Sequence, residues 1–140
     1  MTAGSGIMHQ EMPSGNTQGL MHGFQLWANL PSCQKLVKPR YQDIEAKDIT
    51  FLEDDDGSKI KVIVGDYHGK RGPVDGIACE PQYLDIYIPP NIHKYIKVET
   101  YKNTFAYIFE GSGNFDYASD PIGVLVEKEI NGKEVNIRDM

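Results

Sequence analysis

Two residues in the stretch Gly6–Ser14, G-I-M-H-Q-E-M-P-S, could do metal chemistry: His9 and Glu11. On an extended chain, positions i and i+2 project from the same face. By strand rise their Cα atoms would lie roughly 7 Å apart. One imidazole and one carboxylate side by side is half of a non-haem iron or manganese site. The pattern H-x-E is short, and the same pair reads equally as polar groups on the solvent face of an edge strand. A first-row metal normally takes three or four protein ligands, and the other histidines do not obviously complete a set. His22 lies in an apolar, aromatic stretch, as a core histidine or as pocket lining. His68 falls in a glycine-rich segment and His93 follows the Pro89-Pro90-Asn91 turn; both read as surface residues. The sequence contains no zinc knuckle, phosphate-binding loop or nucleophile elbow, and no Ser/His/Asp or Cys/His spacing stands out.

The elements that must position these residues read as strands. Ile60, Val62 and Val64 alternate, as do Leu84, Ile86 and Ile88, and Phe105, Tyr107 and Phe109. Period-2 runs of this kind are the signature of half-buried strands. Asp55-Asp56-Gly57-Ser58 would turn a hairpin between Ile49–Leu52 and Lys59–Val64, and Glu110-Gly111-Ser112-Gly113 another. Asn131-Gly132 would join Val124–Ile130 to Glu134–Ile137, because both central residues of a type I′ turn need positive φ. Phe24 and Leu26 would face one way from a strand through His22–Trp27, with Gln25 and Trp27 facing the other. The only helical signal is weak: Ser32 could cap a short turn through Leu36. Gly65–Gln82, rich in glycine and proline, reads as a long connection between two β units. The fold class expected is all-β, sandwich or barrel.

The chain has 140 residues and a net charge of −6, with 40% hydrophobic and 24% charged residues. That acidic balance argues against direct nucleic-acid binding, which relies on neutralising phosphates with Lys and Arg. No apolar run approaches the ~20 residues that span a bilayer, so no membrane association is expected. No basic, then apolar, N-terminal pattern suggests a secretory signal. Cys33 and Cys79 read as reduced, intracellular thiols, and Cys33 needs no role beyond packing. The run Glu53-Asp54-Asp55-Asp56 reads as a solvated turn rather than a cation site. Pro39-Arg40-Tyr41-Gln42 reads as packing the connection onto the first β unit.

Several stretches together resemble one family. T-A-G-S-G-I-M-H-Q-E-M-P at 2–13, H-G-F-Q-L-W-A-N-L-P at 22–31 and P-R-Y-Q-D-I at 39–44 are similar to the pirins. Y-L-D-I-Y-I-P-P at 83–90 and F-A-Y-I-F-E-G-S-G at 105–113 continue the likeness more loosely. Pirins are bicupins, two β-sandwich barrels in tandem. The resemblance implies a partial bicupin of jelly-roll strands with incomplete barrels: residues 1–64 from the N-terminal cupin, 65–82 as linker, and 83–140 opening the C-terminal cupin. It also implies one iron per N-terminal cupin, held by three histidines and one glutamate. His9 would be the third histidine and Glu11 the carboxylate, while the family's upstream H-x-H pair has no counterpart here. The expectation is therefore a middle portion of the family pattern, with weak or absent metal binding. It would be either a shortened product or a short protein that restores its core as a homodimer through exposed strand edges.

The resemblance further implies two functional classes. One is a dioxygenase of the quercetin 2,3-dioxygenase type, with Glu11 as ligand or as the base that takes the proton of a flavonol substrate. In it Gln25 would orient a ligand or water, and His22 would line the pocket. The other is a regulatory binding protein whose partner is a transcription factor or a metabolic enzyme. Either implies a cytoplasmic location, or a nuclear one in a eukaryote.

Overall fold

The computed structural model describes residues 1–78 and 80–115, together with the backbone of Val126–Ile130 and Lys133–Ile137. The regular structure is β, as expected: seven strands and two single-turn 3-10 helices, Ser32–Gln34 and Ala46–Asp48, occur among the described residues. The chain forms two compact units, Met1–Lys94 and Tyr95–Met140.

The first unit is built on β1 (Thr50–Glu53), β2 (Lys59–Val64) and β5 (Tyr83–Tyr87), in the antiparallel order β1-β2-β5. The β1–β2 hairpin turns where the sequence places it. The Gly57 N–H donates to Asp54 O at 2.9 Å and the Asp54 N–H to Ser58 O at 2.9 Å. Gly57 sits at φ +79°, the left-handed conformation that ends a three-residue hairpin loop. The Asp56 carboxylate accepts from the Ser58 N–H at 2.8 Å, which closes the turn from its side chain.

Alternation then decides the faces. Ile60 and Val62 on the central strand are fully buried, and Leu52, Leu84 and Ile86 pack against them. The register sets Ile60 opposite both Leu52 and Ile86, and Val62 opposite Leu84. On the other face Lys61 meets its cross-strand partner Asp85 at 3.2 Å. A bulge between Val62 and Val64 re-aims the end of β2. Ile88 falls outside β5. The prolines that follow it carry no N–H to continue a ladder.

The glycine-rich connection is itself folded. It forms a small hairpin, β3 (Asp66–Tyr67) with β4 (Lys70–Arg71), turned at His68 and Gly69 with φ of +48° and +75°. Tyr67 enters the Ile60–Val62 core, and Val74 bridges to Val64 in parallel. Because β5 pairs with β2, both flanks of the 65–82 connection share one sheet, and the compact unit runs on to Lys94.

Arg40 and Gln42 hold this connection to the N-terminal segment, as their position suggested. The Arg40 Nη2 reaches Asp75 Oδ1 at 2.7 Å, its Nη1 donates to Asp75 O at 3.0 Å, and Gln42 Nε2 donates to the same carbonyl at 3.1 Å. Arg40 also exchanges backbone hydrogen bonds with Thr2, at 2.7 and 2.9 Å.

In the second unit, β6 (Val126–Ile130) pairs with β7 (Lys133–Ile137), Ile130 opposite Lys133. The two-residue connection is the expected Asn131-Gly132, whose turn lies outside the described residues, as do Val124 and Leu125 of the expected strand and Cys79. Two expected strands are not among the strands of the described residues. His22–Trp27 and Phe105–Phe109 carry no regular secondary structure, and Phe24, Leu26, Trp27, Phe105, Tyr107 and Phe109 are exposed. Alternation specifies the two faces of a strand, but a strand also needs a neighbour to take its backbone groups. Cys33, expected only to pack, is exposed.

Candidate metal centre

The N-terminal segment reaches His9 through a turn in which Gly6 N–H donates to Ala3 O at 2.9 Å and Ser5 N–H to Val37 O at 2.9 Å. Gly4 has φ +51°, and a Cβ there would lie 2.1 Å from Val37 O, so only glycine lets the turn dock. Beyond it the chain carries no regular secondary structure, and His9 and Glu11 come together: His9 Nε2 lies 3.4 Å from Glu11 Oε1.

The other carboxylate oxygen is taken. Gln25 Nε2 donates to Glu11 Oε2 at 3.2 Å, and Trp27 Nε1 donates to Gln25 Oε1 at 3.1 Å. The indole N–H is a donor only, so it must meet the amide oxygen, which turns the amide nitrogen toward the carboxylate. With Oε2 accepting from Gln25, Oε1 is the oxygen that lies 3.4 Å from His9 Nε2. Of the four residues the sequence singled out, His9, Glu11 and Gln25 are therefore brought together. His22 sets its ring against Phe24, centroids 5.4 Å apart and tilted by 58°.

The pair fits one ion as two neighbouring donors. Donors each ~2.1 Å from a metal stand ~3.0 Å apart at a right angle and ~3.4 Å apart at a tetrahedral one. Imidazole plus carboxylate suits iron, manganese or zinc. Among the described residues no group of three or more His, Cys, Asp or Glu side chains is placed to hold a metal. The geometry brings two candidate donor groups together beside an amide hydrogen-bonded to one of them.

The acidic turn differs from its expected solvation. The Lys94 ammonium hydrogen-bonds Asp54 Oδ2 and, at 2.9 Å, Asp56 Oδ2. Tyr67 donates its hydroxyl to Asp54 Oδ2 at 2.7 Å. The side chains of Lys94 and Asp54 are only 9% and 16% exposed. The ammonium, and then the Tyr67 hydroxyl, lower the Asp54 pKa. The ammonium, and then the Ser58 amide, hold Asp56 down to about 2. Hydrogen bonding to Asp54 raises Lys94 against the opposing effect of burial. Burial first, and Asp54 next, raise the Tyr67 hydroxyl. The turn is thus a cation cradle filled by a lysine of the same unit. His68 stacks on Tyr67, centroids 4.2 Å apart, and stays exposed as expected. A cleft of about 420 Å³ lies elsewhere, between Leu30, Val37, Lys38 and Ile77.

Fold and site together define an all-β chain carrying an imidazole–carboxylate pair on its N-terminal segment. Comparison with known proteins names the family. A pirin-like protein of Arabidopsis thaliana is 43% identical over 117 residues, 82% of this chain and 37% of the relative. One of Solanum lycopersicum is 39% identical over 115 residues, 82% and 38% respectively. A Pseudomonas aeruginosa protein named "Putative quercetin 2,3-dioxygenase" is 38% identical over 116 residues, 80% and 40%. The chain belongs to the pirin family. It spans 37 to 40% of the length of these relatives. No family model and no solved structure matches it. Among the described residues no helix is long and apolar enough to cross a membrane.

Proposed function

We propose that His9 and Glu11 are two ligands of a cupin iron centre. With its remaining ligands supplied, this centre acts as a dioxygenase of the quercetin 2,3-dioxygenase type on a flavonol. The observation that carries this reading is the 3.4 Å approach of His9 Nε2 to Glu11 Oε1, with Gln25 on the opposite carboxylate oxygen. The name of the Pseudomonas relative supports the reaction class.

When bound, the ion supplies Lewis acidity and a template for the flavonol oxygens. The protein does the rest. His9 offers the Nε2 lone pair. Glu11 offers Oε1, as ligand or as the base that takes the flavonol hydroxyl proton, the two roles being open to the same oxygen. Gln25 keeps that oxygen pointed at His9. His22, against Phe24, is assigned to the pocket wall.

The test is flavonol bleaching with added Fe²⁺, beside elemental analysis of untagged protein. Iron uptake and bleaching, both abolished in His9→Ala, are expected once the centre is complete. Bleaching that survives in His9→Ala removes His9 from the mechanism.

A second reading, a regulatory protein that binds another protein, is favoured by the exposed Met8, Met12, Leu20, Met21 and Trp27. Large apolar side chains left exposed are one mark of a partner surface. If a second copy is that partner, light scattering will report a dimer and Trp27 will lose its accessibility to a soluble quencher.

A further inference from the structure

We propose that Trp27 is a positioning residue for the Glu11 carboxylate, acting through the side-chain amide of Gln25. The inference rests on the metal-centre reading for its consequence but not for its geometry. Trp27 and Gln25 sit two residues apart in the chain and Glu11 lies fourteen residues before Gln25, so one local unit spans two separate stretches. Trp27 Nε1 donates to Gln25 Oε1 at 3.1 Å and Gln25 Nε2 donates to Glu11 Oε2 at 3.2 Å.

A glutamine alone could present either end of its amide to the carboxylate. With the oxygen end forward, two acceptors would face each other and the contact would be repulsive. The Trp27 N–H favours the same orientation from the other end of the amide, because it has a hydrogen to give and no lone pair to offer. Trp27 therefore holds Gln25 with its amide nitrogen toward Glu11, and that bond restrains the carboxylate beside His9. The residue is 85% exposed, and its indole N–H bonds Gln25 rather than His9 or Glu11. A packing role would not need the indole nitrogen. Partners that orient a metal ligand typically change affinity about 10- to 100-fold when removed. A residue one bond further out should act more weakly, about three- to tenfold.

The chain has a single tryptophan, so its indole N–H gives one unambiguous nuclear magnetic resonance signal. In metal-free protein that signal is expected to move in Glu11→Ala and to move further in Gln25→Leu. An indole signal unchanged in Glu11→Ala overturns the relay. Zn²⁺, which is not paramagnetic, is then titrated into the full chain while the His9 ring signals are followed. The indole and His9 signals should shift with one midpoint. Trp27→Phe should weaken Zn²⁺ about three- to tenfold with the sheet signals of β2 unchanged. Unaltered Zn²⁺ affinity in Trp27→Phe overturns the positioning role. If the His9 ring ignores Zn²⁺ in every protein, the metal-centre reading falls, and the metal-free comparison alone decides whether Trp27 holds Glu11.

Discussion

The Lys94 ammonium lies 2.9 Å from Asp56 Oδ2 and ties the tip of the β1–β2 hairpin to the end of the first unit. The direction of its pH dependence follows from the shifted groups. Asp56 is lowered from 3.8 to about 2 and Asp54 is lowered as well. Carboxylates depressed in the folded state stabilise it above their unfolded pKa, and that contribution is lost as pH falls through the folded value. Lys94 is raised from 10.5, so its contribution is complete below 10.5 and is lost only at more alkaline pH. Stability from this cluster should therefore be full from about pH 5 to about pH 9 and fall between about pH 4 and pH 2. Lys94→Met leaves two carboxylates facing each other without a cation, and should flatten that acid slope. Circular dichroism of urea unfolding at each pH checks this. An unchanged slope in Lys94→Met would place the acid sensitivity elsewhere.

Ile60→Ala should cost about 3 kcal/mol, within the range for a fully buried branched side chain truncated in a packed site. Val62→Ala should cost about 2 kcal/mol by the same argument. Phe51→Ala, on an exposed position of β1, should cost less than either. Chemical unfolding of the three variants gives the order directly, and a larger loss at Phe51 would contradict the assignment of faces.

Gly76 and Arg40 should be energetically coupled. A Cβ on Gly76 would lie 2.1 Å from Arg40 Nη1, and φ there is +58°. Gly76→Ala should thus lose about 1 to 3 kcal/mol from backbone strain and the displaced guanidinium. Arg40→Ala alone removes an exposed ion pair and should lose about 0.2 to 1 kcal/mol. In the double variant the clash is gone, so the sum of the single effects should exceed the measured loss. Strict additivity would mean the guanidinium moves aside at no cost.

Glu11→Gln keeps the shape of the side chain and removes its charge. Metal affinity should fall by at least ~10-fold, since even removing the partners that merely orient a ligand has effects of that size. His9→Ala should lose at least as much. Competition with a metallochromic indicator measures both, and equal affinity in all three proteins would exclude the pair as ligands.

The sequence carried the local features and missed those that depend on distant partners. The turn at Gly57, the alternation along β2 and the β6–β7 pairing were readable because each is set by neighbours in the chain. The face shared by His9 and Glu11 followed from spacing alone, and the structure adds that both point at one place. Glu53–Asp56 looked like a solvated turn because the cation that fills it, Lys94, lies 40 residues beyond Asp54. Nothing in a four-residue acidic run specifies such a partner. The β3–β4 hairpin hid in the connection because one of its turn residues is His68, at a positive φ that histidine adopts less readily than glycine. For Phe105–Phe109 the alternation gave a pattern of faces, but periodicity does not name the strand that pairs with it. Trp27 read as one face of a strand; its donor role depended on where Gln25 turned its amide.

The β1-β2-β5 sheet has a kinetic consequence. β1 reaches β2 across the five-residue span Asp54–Ser58, whereas β5 reaches β2 only across residues 65–82. Closing a flexible loop costs ~0.6 kcal/mol for each doubling of its length, so the second closure is harder by about 1 kcal/mol. The hairpin should zip first, and β5 should add only after Tyr67 and Val74 have folded the connection back toward β2. Pulse-labelled amide exchange during refolding should then protect β2 on its β1 side before its β5 side.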